Sequence, residues 1–181
     1  MILFFGPPGS GKSVQGELLV KRNGWQWLST GQLFRESSDT EVLERLATGE
    51  LIDDDMTNRV LDDALRKASD KSRVVLDGYP RNLDQAKWLD EHLPSHGREI
   101  LVVIVFDVPK EELIRRLSGR GRVEDSPQVI EHRLDIYFRS TKPVIDYYQD
   151  RGVAVRMVNG HDDVNEVHER IQKVIEECSL A

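Results

Sequence analysis

A glycine-rich loop directly after the first apolar segment constrains the fold of this chain more than any other feature. Residues 2–5 form a short apolar run, and Gly6-Pro7-Pro8-Gly9-Ser10-Gly11-Lys12-Ser13 follows it before a helical pattern begins. This order matches G-x-x-x-x-G-K-[ST] at every fixed position, in the strand-to-helix context that a phosphate-binding loop needs. Glycines let backbone N–H groups surround phosphate oxygens, and the helix adds the positive end of its dipole. The segment therefore predicts a nucleoside triphosphate site, with Lys12 at the β- and γ-phosphates and the Ser13 hydroxyl on Mg²⁺.

Five apolar segments are predicted to be strands of one buried parallel sheet. Each is short and partly β-branched, as expected of a strand that is covered on both faces. The predicted strands are Ile2–Phe5, Trp25–Leu28, Arg73–Leu76, Ile100–Phe106 and Val153–Val158.

Helical patterns separate these strands. They are predicted over Lys12–Arg22, Thr40–Ala47, Asp54–Ala68, Asn82–His92, Lys110–Ser118, Pro127–Tyr148 and Val164–Glu177. In the longest of them, Ser126 is a predicted N-cap, Pro127 takes the first helical position, and Pro143 predicts a kink or break. The alternation indicates an α/β P-loop fold: a three-layer sandwich with a central five-stranded parallel sheet and right-handed crossovers.

The domain organisation is simple. The 181 residues fit a single domain, 1–181, without an internal repeat or linker. Two stretches depart from the strand–helix alternation, about 30–68 and about 117–126. We expect the first to be a helical insertion and the second a very short lid, both over a site at the carboxyl edge of the sheet.

Composition points to an ordinary globular protein in a reducing compartment. Hydrophobic residues make up 39% of the chain, which suffices for a normal core. The only cysteine is Cys178, so no internal disulfide can form, and the five histidines lack metal-ligand spacing. We therefore expect no zinc and a cytoplasmic location.

Charge and hydropathy argue against nucleic-acid and membrane partners. The formal net charge is −7, which is unfavourable for binding a polyanion. The longest uninterrupted apolar run, Ile100–Phe106, is far too short to span a bilayer, and the first residues show no signal-peptide pattern. A small single domain also favours a monomer.

Asp77 ends the apolar run Val74-Val75-Leu76 at the predicted sheet edge. A carboxylate at the tip of a buried strand suits Mg²⁺, bound directly or through water. The alternative is a turn or cap residue. Because a phosphate loop is predicted on the same sheet, we favour the metal site.

Several further motifs follow in a fixed order: Ser29–Arg35, Gly49–Ile52, Asp77–Gln85, the arginine-rich region 116–133 and Lys142–Tyr148. Together with the glycine loop they resemble the adenylate kinase family of nucleoside monophosphate kinases over nearly the whole chain. The resemblance implies the reversible reaction Mg·ATP + AMP ⇌ ADP + ADP, with ATP, AMP and ADP as the bound molecules. It also makes the stretch 30–68 the monophosphate-binding insertion.

The resemblance implies which residues hold each nucleotide. ATP would contact Gly9, Ser10, Gly11, Lys12, Ser13, Val14, Arg116, Arg120 and Asp162. AMP would contact Thr30, Arg35, Glu50, Leu51, Ile52, Gly78, Arg81, Gln85, Arg122 and Arg133. The cations acting on the transferring phosphoryl group would be Lys12, Arg81, Arg116, Arg120, Arg122 and Arg133. Of these, Arg120 would also lie against the ATP base.

The chemistry of phosphoryl transfer supports a role for these arginines. Transfer needs positioning and charge neutralisation more than a covalent catalyst, and guanidinium groups bind phosphate oxygens through paired, directional hydrogen bonds. Arg116 and Arg120 are four residues apart, so a helix would place them on one face. Glu124 and Asp125 either orient the arginines or, in the case of Asp125 with Ser126, cap the next helix. The sequence leaves both roles open.

The acceptor base is predicted from two positions. Thr30 and Gln85 match the adenylate kinases, whereas UMP/CMP kinases typically show Ala and Asn there. Because the Gln85 amide can donate to a ring nitrogen and accept from the exocyclic amine of adenine, AMP is the favoured acceptor. Asn82 resembles the pyrimidine kinases, so CMP, UMP and dAMP stay as alternatives. A kinase for another metabolite or a nucleotide-dependent switch would leave Arg35, Arg81 and Gln85 without a purpose.

Two features depart from the family pattern. Many adenylate kinases have a threonine where this chain has Val14, whose side chain cannot form a hydrogen bond. The lid segment 119–125 is short and contains no zinc ligands.

Overall fold

A parallel sheet forms the centre of the fold. A computed structural model of the chain describes residues 1–37, 39–71 and 73–180. The strands are β1 (Ile2–Phe5), β2 (Gln26–Ser29), β3 (Val74–Asp77), β4 (Val102–Asp107) and β5 (Val155–Asn159). They pair in the order β2-β3-β1-β4-β5, and every pair is parallel. The predicted five-stranded parallel sheet is confirmed.

The helices surround the sheet and mostly follow the predicted bounds. They are α1 (Lys12–Asn23), α2 (Thr30–Arg35), α3 (Thr40–Thr48), α4 (Asp54–Lys67), α5 (Leu83–His92), α6 (Lys110–Ser118), α7 (Pro127–Ile136), α8 (Lys142–Asp150) and α9 (Val164–Leu180), with a 3₁₀ turn at Leu93–His96. The short helix α2 was not expected, because six residues are too few to show a helical period. Ser29 starts it by accepting a hydrogen bond from the Gln32 N–H at 3.4 Å.

The predicted long helix is two helices. A π-helical segment, Tyr137–Thr141, separates α7 from α8, so the predicted break lies just before Pro143. Pro143 occupies the start of α8, where its missing N–H is not needed by the helix. Pro127 starts α7 as expected, but the Ser126 side chain makes no capping hydrogen bond.

Two apolar clusters, one on each face of the sheet, complete the three layers. Along β1, Leu3 and Phe5 pack against α4, α5 and α8, whereas Ile2 and Phe4 pack against α1 and α9. This alternation follows from the two-residue period of a strand that is covered on both faces. Among the described residues, no helix combines the length and the apolar character needed to cross a bilayer.

The sheet brings the carboxyl ends of its strands to one edge. Ser29 and Asp77 lie side by side there, paired in register between β2 and β3. The stretch 30–68 contains α2, α3 and α4, and the segment 119–126 connects α6 to α7. The stretch 30–68 leaves the sheet at the carboxyl end of β2, at the edge where the phosphate loop also begins, whereas the segment 119–126 follows a helix.

Close packing of α1 on the sheet gives a testable consequence. A Cβ atom added at Gly16 would lie 2.6 Å from Cδ1 and 2.8 Å from Cε2 of Trp27. We expect Gly16→Ala to lower the free energy of unfolding by about 1–3 kcal/mol, because the indole ring of Trp27 would have to move. Helix propensity alone predicts a gain of about 1 kcal/mol from the same change.

Chemical denaturation of Gly16→Ala distinguishes the two expectations. Gly119→Ala is the matched control, since its added Cβ would lie no closer than 3.6 Å to any described atom outside its chain neighbours. A Gly16→Ala protein as stable as the parent would contradict the packing account.

Candidate active site

A cavity of about 930 Å³ opens at the carboxyl edge of the sheet. Most of the sequence-predicted site residues line it: Gly9, Ser10, Gly11, Lys12, Ser13, Val14, Arg35, Leu51, Asp77, Gly78, Arg81, Arg116, Arg120, Arg122, Arg133 and Asp162. Thr30, Glu50, Ile52 and Gln85 are not among its lining residues. The fold therefore gathers residues from seven separate parts of the chain around one space large enough for two nucleotides.

The phosphate loop depends on backbone conformations that favour glycine. Gly9 has φ +84° and Gly11 has φ +95°, both in the left-handed region. Gly11 directly precedes α1, so the first N–H groups of that helix face the cavity without a side chain in the way. This geometry is that of an anion site at a helix N-terminus.

Lys12 is a buried cation held against the loop. Its Nζ donates to the Gly6 carbonyl at 2.7 Å and the Pro7 carbonyl at 3.0 Å, and lies 4.0 Å from Oδ1 of Asp77. Burial is the main cause that lowers the pKa of Lys12 to about 8; Asp77 opposes this shift, and Arg81, Arg133 and Arg120 add to it. The lining of the cavity contains more lysine and arginine side chains than aspartate and glutamate side chains.

Asp77 ends β3 and is 5% exposed. Its Oδ2 accepts a hydrogen bond from the Ser29 hydroxyl at 3.4 Å, whereas its Oδ1 is buried without a hydrogen-bond partner among the described residues. A buried, unpartnered carboxylate oxygen beside a phosphate loop fits a divalent cation. Within the same residues, no cluster of three His, Cys, Asp or Glu side chains could hold a metal by itself.

Arg81 and Arg133 add two buried guanidinium groups. The Nε of Arg81 donates to the Gly78 carbonyl at 2.7 Å, and burial lowers its pKa. Burial, together with Arg81 and Arg120, lowers the pKa of Arg133 to about 10. Nη1 of Arg133 is buried without a hydrogen-bond partner in the described part of the chain. These groups have donors available for an anion.

The short lid orients its own arginine. Nε and Nη2 of Arg120 donate to the two carboxylate oxygens of Asp125 at 2.9 and 2.5 Å, a bidentate pair. Burial raises the pKa of Asp125, but the hydrogen bonds from Arg120 and from the Arg122 N–H outweigh it and hold that pKa below its usual value. Of the two roles left open for Asp125, the structure supports pairing with arginine.

Glu124 connects the lid to the insertion. Its Oε1 lies 3.6 Å from Nη1 of Arg35, 3.9 Å from Nη1 of Arg122 and 4.0 Å from Nη2 of Arg120. The residue is 7% exposed, so this carboxylate is held inside a group of cations that also line the cavity. The segment 119–126 therefore contributes Arg120 and Arg122 to the cavity lining, and it contains no strand.

Arg116 lies against the loop that follows β5. Its Nη1 donates to the Gly160 carbonyl at 3.0 Å, while Nε donates to Oε1 of Glu112 at 2.6 Å. Hydrogen bonds from Arg115 and Arg116 lower the pKa of Glu112 to about 2. Sequence reasoning missed Glu112, although its i,i+4 spacing to Arg116 is a usable signal.

The contact of Arg120 with the ATP base stays a prediction.

The residues predicted to read the acceptor base are enclosed by protein. The Thr30 hydroxyl donates to the Gly78 carbonyl at 2.9 Å. Gln85 is 2% exposed, its Oε1 accepts from the Arg81 N–H, and its Nε2 donates to Oδ1 of Asp54, both at 2.7 Å. Asn82 caps α5 by accepting from the Gln85 N–H at 2.9 Å. Contact of Thr30 and Gln85 with a base stays a prediction.

Comparison with known proteins gives one consistent family. The sequence model of the Adenylate kinase family matches residues 4–153. The adenylate kinase of Mycobacterium tuberculosis strain H37Rv is 38% identical over 169 residues, covering 90% of this chain and 93% of that protein. The adenylate kinase of Micrococcus luteus is 36% identical over 184 residues, covering 96% of this chain and 89% of that protein.

The lowered pKa of Lys12 predicts a proton linked to nucleotide binding. A bound triphosphate raises that pKa from about 8, so the protein takes up a proton when it binds ATP near pH 8. In the free protein the folded-state pKa lies below the unfolded value of 10.5, so the unfolded chain binds more protons between about 8 and 10.5. Lys12 therefore makes the free energy of unfolding of the free protein rise as the pH increases from about 8 to 10.5.

Calorimetric titration with ATP at pH 8, in two buffers of different ionisation enthalpy, measures the proton uptake. Lys12→Met is the control and should show a smaller uptake. Equal binding heats in both buffers for the parent protein would contradict the assigned environment of Lys12.

Proposed function

The chain belongs to the adenylate kinase family and transfers phosphoryl groups between adenine nucleotides as an ATP:AMP phosphotransferase, and we propose how its cavity divides the two substrates. The donor ATP binds with its phosphates in the loop 6–13 and its base by the segment 159–164. The acceptor AMP binds with its phosphate at Arg35 and Arg81. The observation that carries this proposal is the excess of cationic over anionic side chains that line the cavity, with Lys12 and Arg133 buried among them.

The donor side is supported by the loop and by the segment after β5. A Cβ atom added at Gly160 would lie 3.1 Å from the Ser10 carbonyl, so this segment packs directly on the phosphate loop. Arg116 holds the same segment, and Asp162 lines the cavity beside it. A nucleotide with its phosphates over α1 would reach this segment with its base.

The acceptor side is supported by cations that come from the insertion and from the turn after β3. Arg35 lies at the end of α2, and Arg81 is fixed by Gly78 and Gln85. Gly78 has φ +80°, and a Cβ there would lie 2.7 Å from the Thr30 hydroxyl, so only glycine fits this turn. With its phosphate at Arg35 and Arg81, AMP would direct an oxygen of that phosphate toward the γ-phosphate of ATP.

The reaction follows from this arrangement. An oxygen of the AMP phosphate forms a bond to the γ-phosphorus of ATP, and the bond from that phosphorus to the β,γ-bridging oxygen breaks, which leaves two ADP. Lys12, Arg120 and Arg133 neutralise the charge on the transferring group, and the lid excludes water. No side chain needs to act as a nucleophile, because the AMP phosphate is already an anion.

Magnesium fits the residues at the donor phosphates. Ser13 lines the cavity, and the unpartnered Oδ1 of Asp77 is an acceptor of the kind that Mg²⁺ prefers. These two residues would hold the ion, directly or through water, and Mg²⁺ would supply charge neutralisation at the β- and γ-phosphates. Val14 lines the cavity but contributes only apolar contact.

Adenine is the base that the comparisons support for the acceptor, and the hydrogen bonds of Asn82 agree with this. Its side chain caps α5 and donates to both carboxylate oxygens of Asp54 at 3.1 Å. This structural role accounts for Asn82 without a pyrimidine base.

We also propose that the protein is a monomer, since each part of the proposed site comes from one chain. We propose the cytoplasm as its location.

Arg81→Ala tests the division of the cavity. The variant loses the acceptor phosphate contact, so kcat/KM for AMP should fall about 10²- to 10³-fold, while the Kd for ATP should change less than about threefold. Arg45→Ala is the matched control, because Arg45 lies in the insertion on an exposed ion pair with Glu41. Steady-state kinetics and calorimetric ATP binding give the two quantities, and an equal loss of ATP affinity in Arg81→Ala would contradict the assigned site.

A further inference from the structure

Gln15 and His168 form a buried polar pair that the proposed chemistry does not use. Gln15 lies in the first turns of α1 and is 2% exposed, and His168 lies in α9 and is 0% exposed. Gln15 lines the cavity, whereas His168 is not among the lining residues. Buried polar side chains need a structural or functional reason, because their desolvation costs free energy.

Hydrogen bonding fixes the orientation of both side chains. Nε2 of Gln15 donates to the Val164 carbonyl at 2.8 Å, so the amide oxygen must point the other way. That oxygen, Oε1, lies 3.1 Å from Nδ1 of His168. Because a carbonyl oxygen can only accept, Nδ1 of His168 carries the proton. Its Nε2 is buried without a hydrogen-bond partner among the described residues.

The pair connects the two parts of the proposed ATP site. Gln15 is three residues after Lys12 on α1. Val164 is the first residue of α9, at the end of the segment 159–164. Both Val164 and the residues before it line the cavity. Arg116 holds the opposite end of the same segment at Gly160. The amide of Gln15 therefore sets the distance between the phosphate loop and the segment after β5.

We propose that Gln15 and His168 are positioning residues for the donor nucleotide. The Nδ1–H of His168 orients the Gln15 amide, and that amide holds Val164 in place for the ATP base. The inference rests on the proposed function, in which the segment 159–164 binds the base of ATP. A general structural role would affect ATP and AMP alike. A positioning role affects ATP alone.

Two variants of His168 separate these roles. His168→Leu removes the donor to Gln15, whereas His168→Asn keeps an N–H near the position of Nδ1. We expect His168→Leu to raise the KM for ATP about two- to tenfold, the range for one lost neutral hydrogen bond, with the KM for AMP within about twofold of the parent. We expect His168→Asn to restore the KM for ATP to within about twofold of the parent.

Other results would overturn the inference. These are an unchanged KM for ATP in His168→Leu, an equal rise of both KM values, or equal effects of Leu and Asn. Gln15→Met supplies an independent test if His168→Leu does not fold, because Met matches the length of Gln and cannot donate to Val164. It should also raise the KM for ATP alone, and a parental KM would contradict the proposal.

Gly160→Ala distinguishes failure of this inference from failure of the donor assignment. Its added Cβ would lie 2.9 Å from Cγ2 of Val108 and 3.1 Å from the Ser10 carbonyl, so the segment must shift. A rise in the KM for ATP, with a parental His168→Leu, would reject the role of His168 and keep the donor site. A rise in the KM for AMP alone would reject the donor site itself.

Discussion

Buried positive charge beside the phosphate loop is the interaction on which the rest of this site depends. Lys12 is desolvated and surrounded by Arg81, Arg120 and Arg133, and its pKa falls to about 8 even with Asp77 nearby. Such a cluster opposes folding unless an anion completes it. In the proposed function, the phosphates of the two substrates supply that anion, so the charges that destabilise the empty site are the ones that would bind the nucleotides. A parallel sheet makes this possible because its strands all end at one edge.

Ion pairs orient the arginines of the short segment between α6 and α7. Between α6 and α7 there is no room for a separate layer, so the covering arginines are oriented by carboxylates of the lid itself. Asp125 holds Arg120 through two hydrogen bonds, and Glu124 reaches Arg35 at the end of α2. Because Arg35 is also a proposed ligand of the AMP phosphate, the ion pair with Glu124 and the proposed acceptor site share one guanidinium group.

Much of this architecture could be predicted from local sequence. The glycine loop, the parallel sheet implied by the alternation of strands and helices, and the carboxylate of Asp77 are all predicted from local patterns, whereas the order of the strands in the sheet was not. The helix α2, the π-helical segment before Pro143 and the burial of Gln85 could not be predicted, since they depend on packing and on distant partners. The pairing of Gln15 with His168 joins residues 153 positions apart. No spacing rule in the sequence identifies such a contact, whereas the pair of Glu112 and Arg116 could have been predicted from its i,i+4 spacing.

One continuous cationic cavity is proposed to hold the phosphates of ATP and AMP at the same time. Steady-state inhibition by a compound in which five phosphates join two adenosines measures this. We expect the compound to compete with ATP and also with AMP, because it would occupy the loop 6–13 and the site of Arg81 together. Competition with only one of the two substrates would contradict a shared cavity.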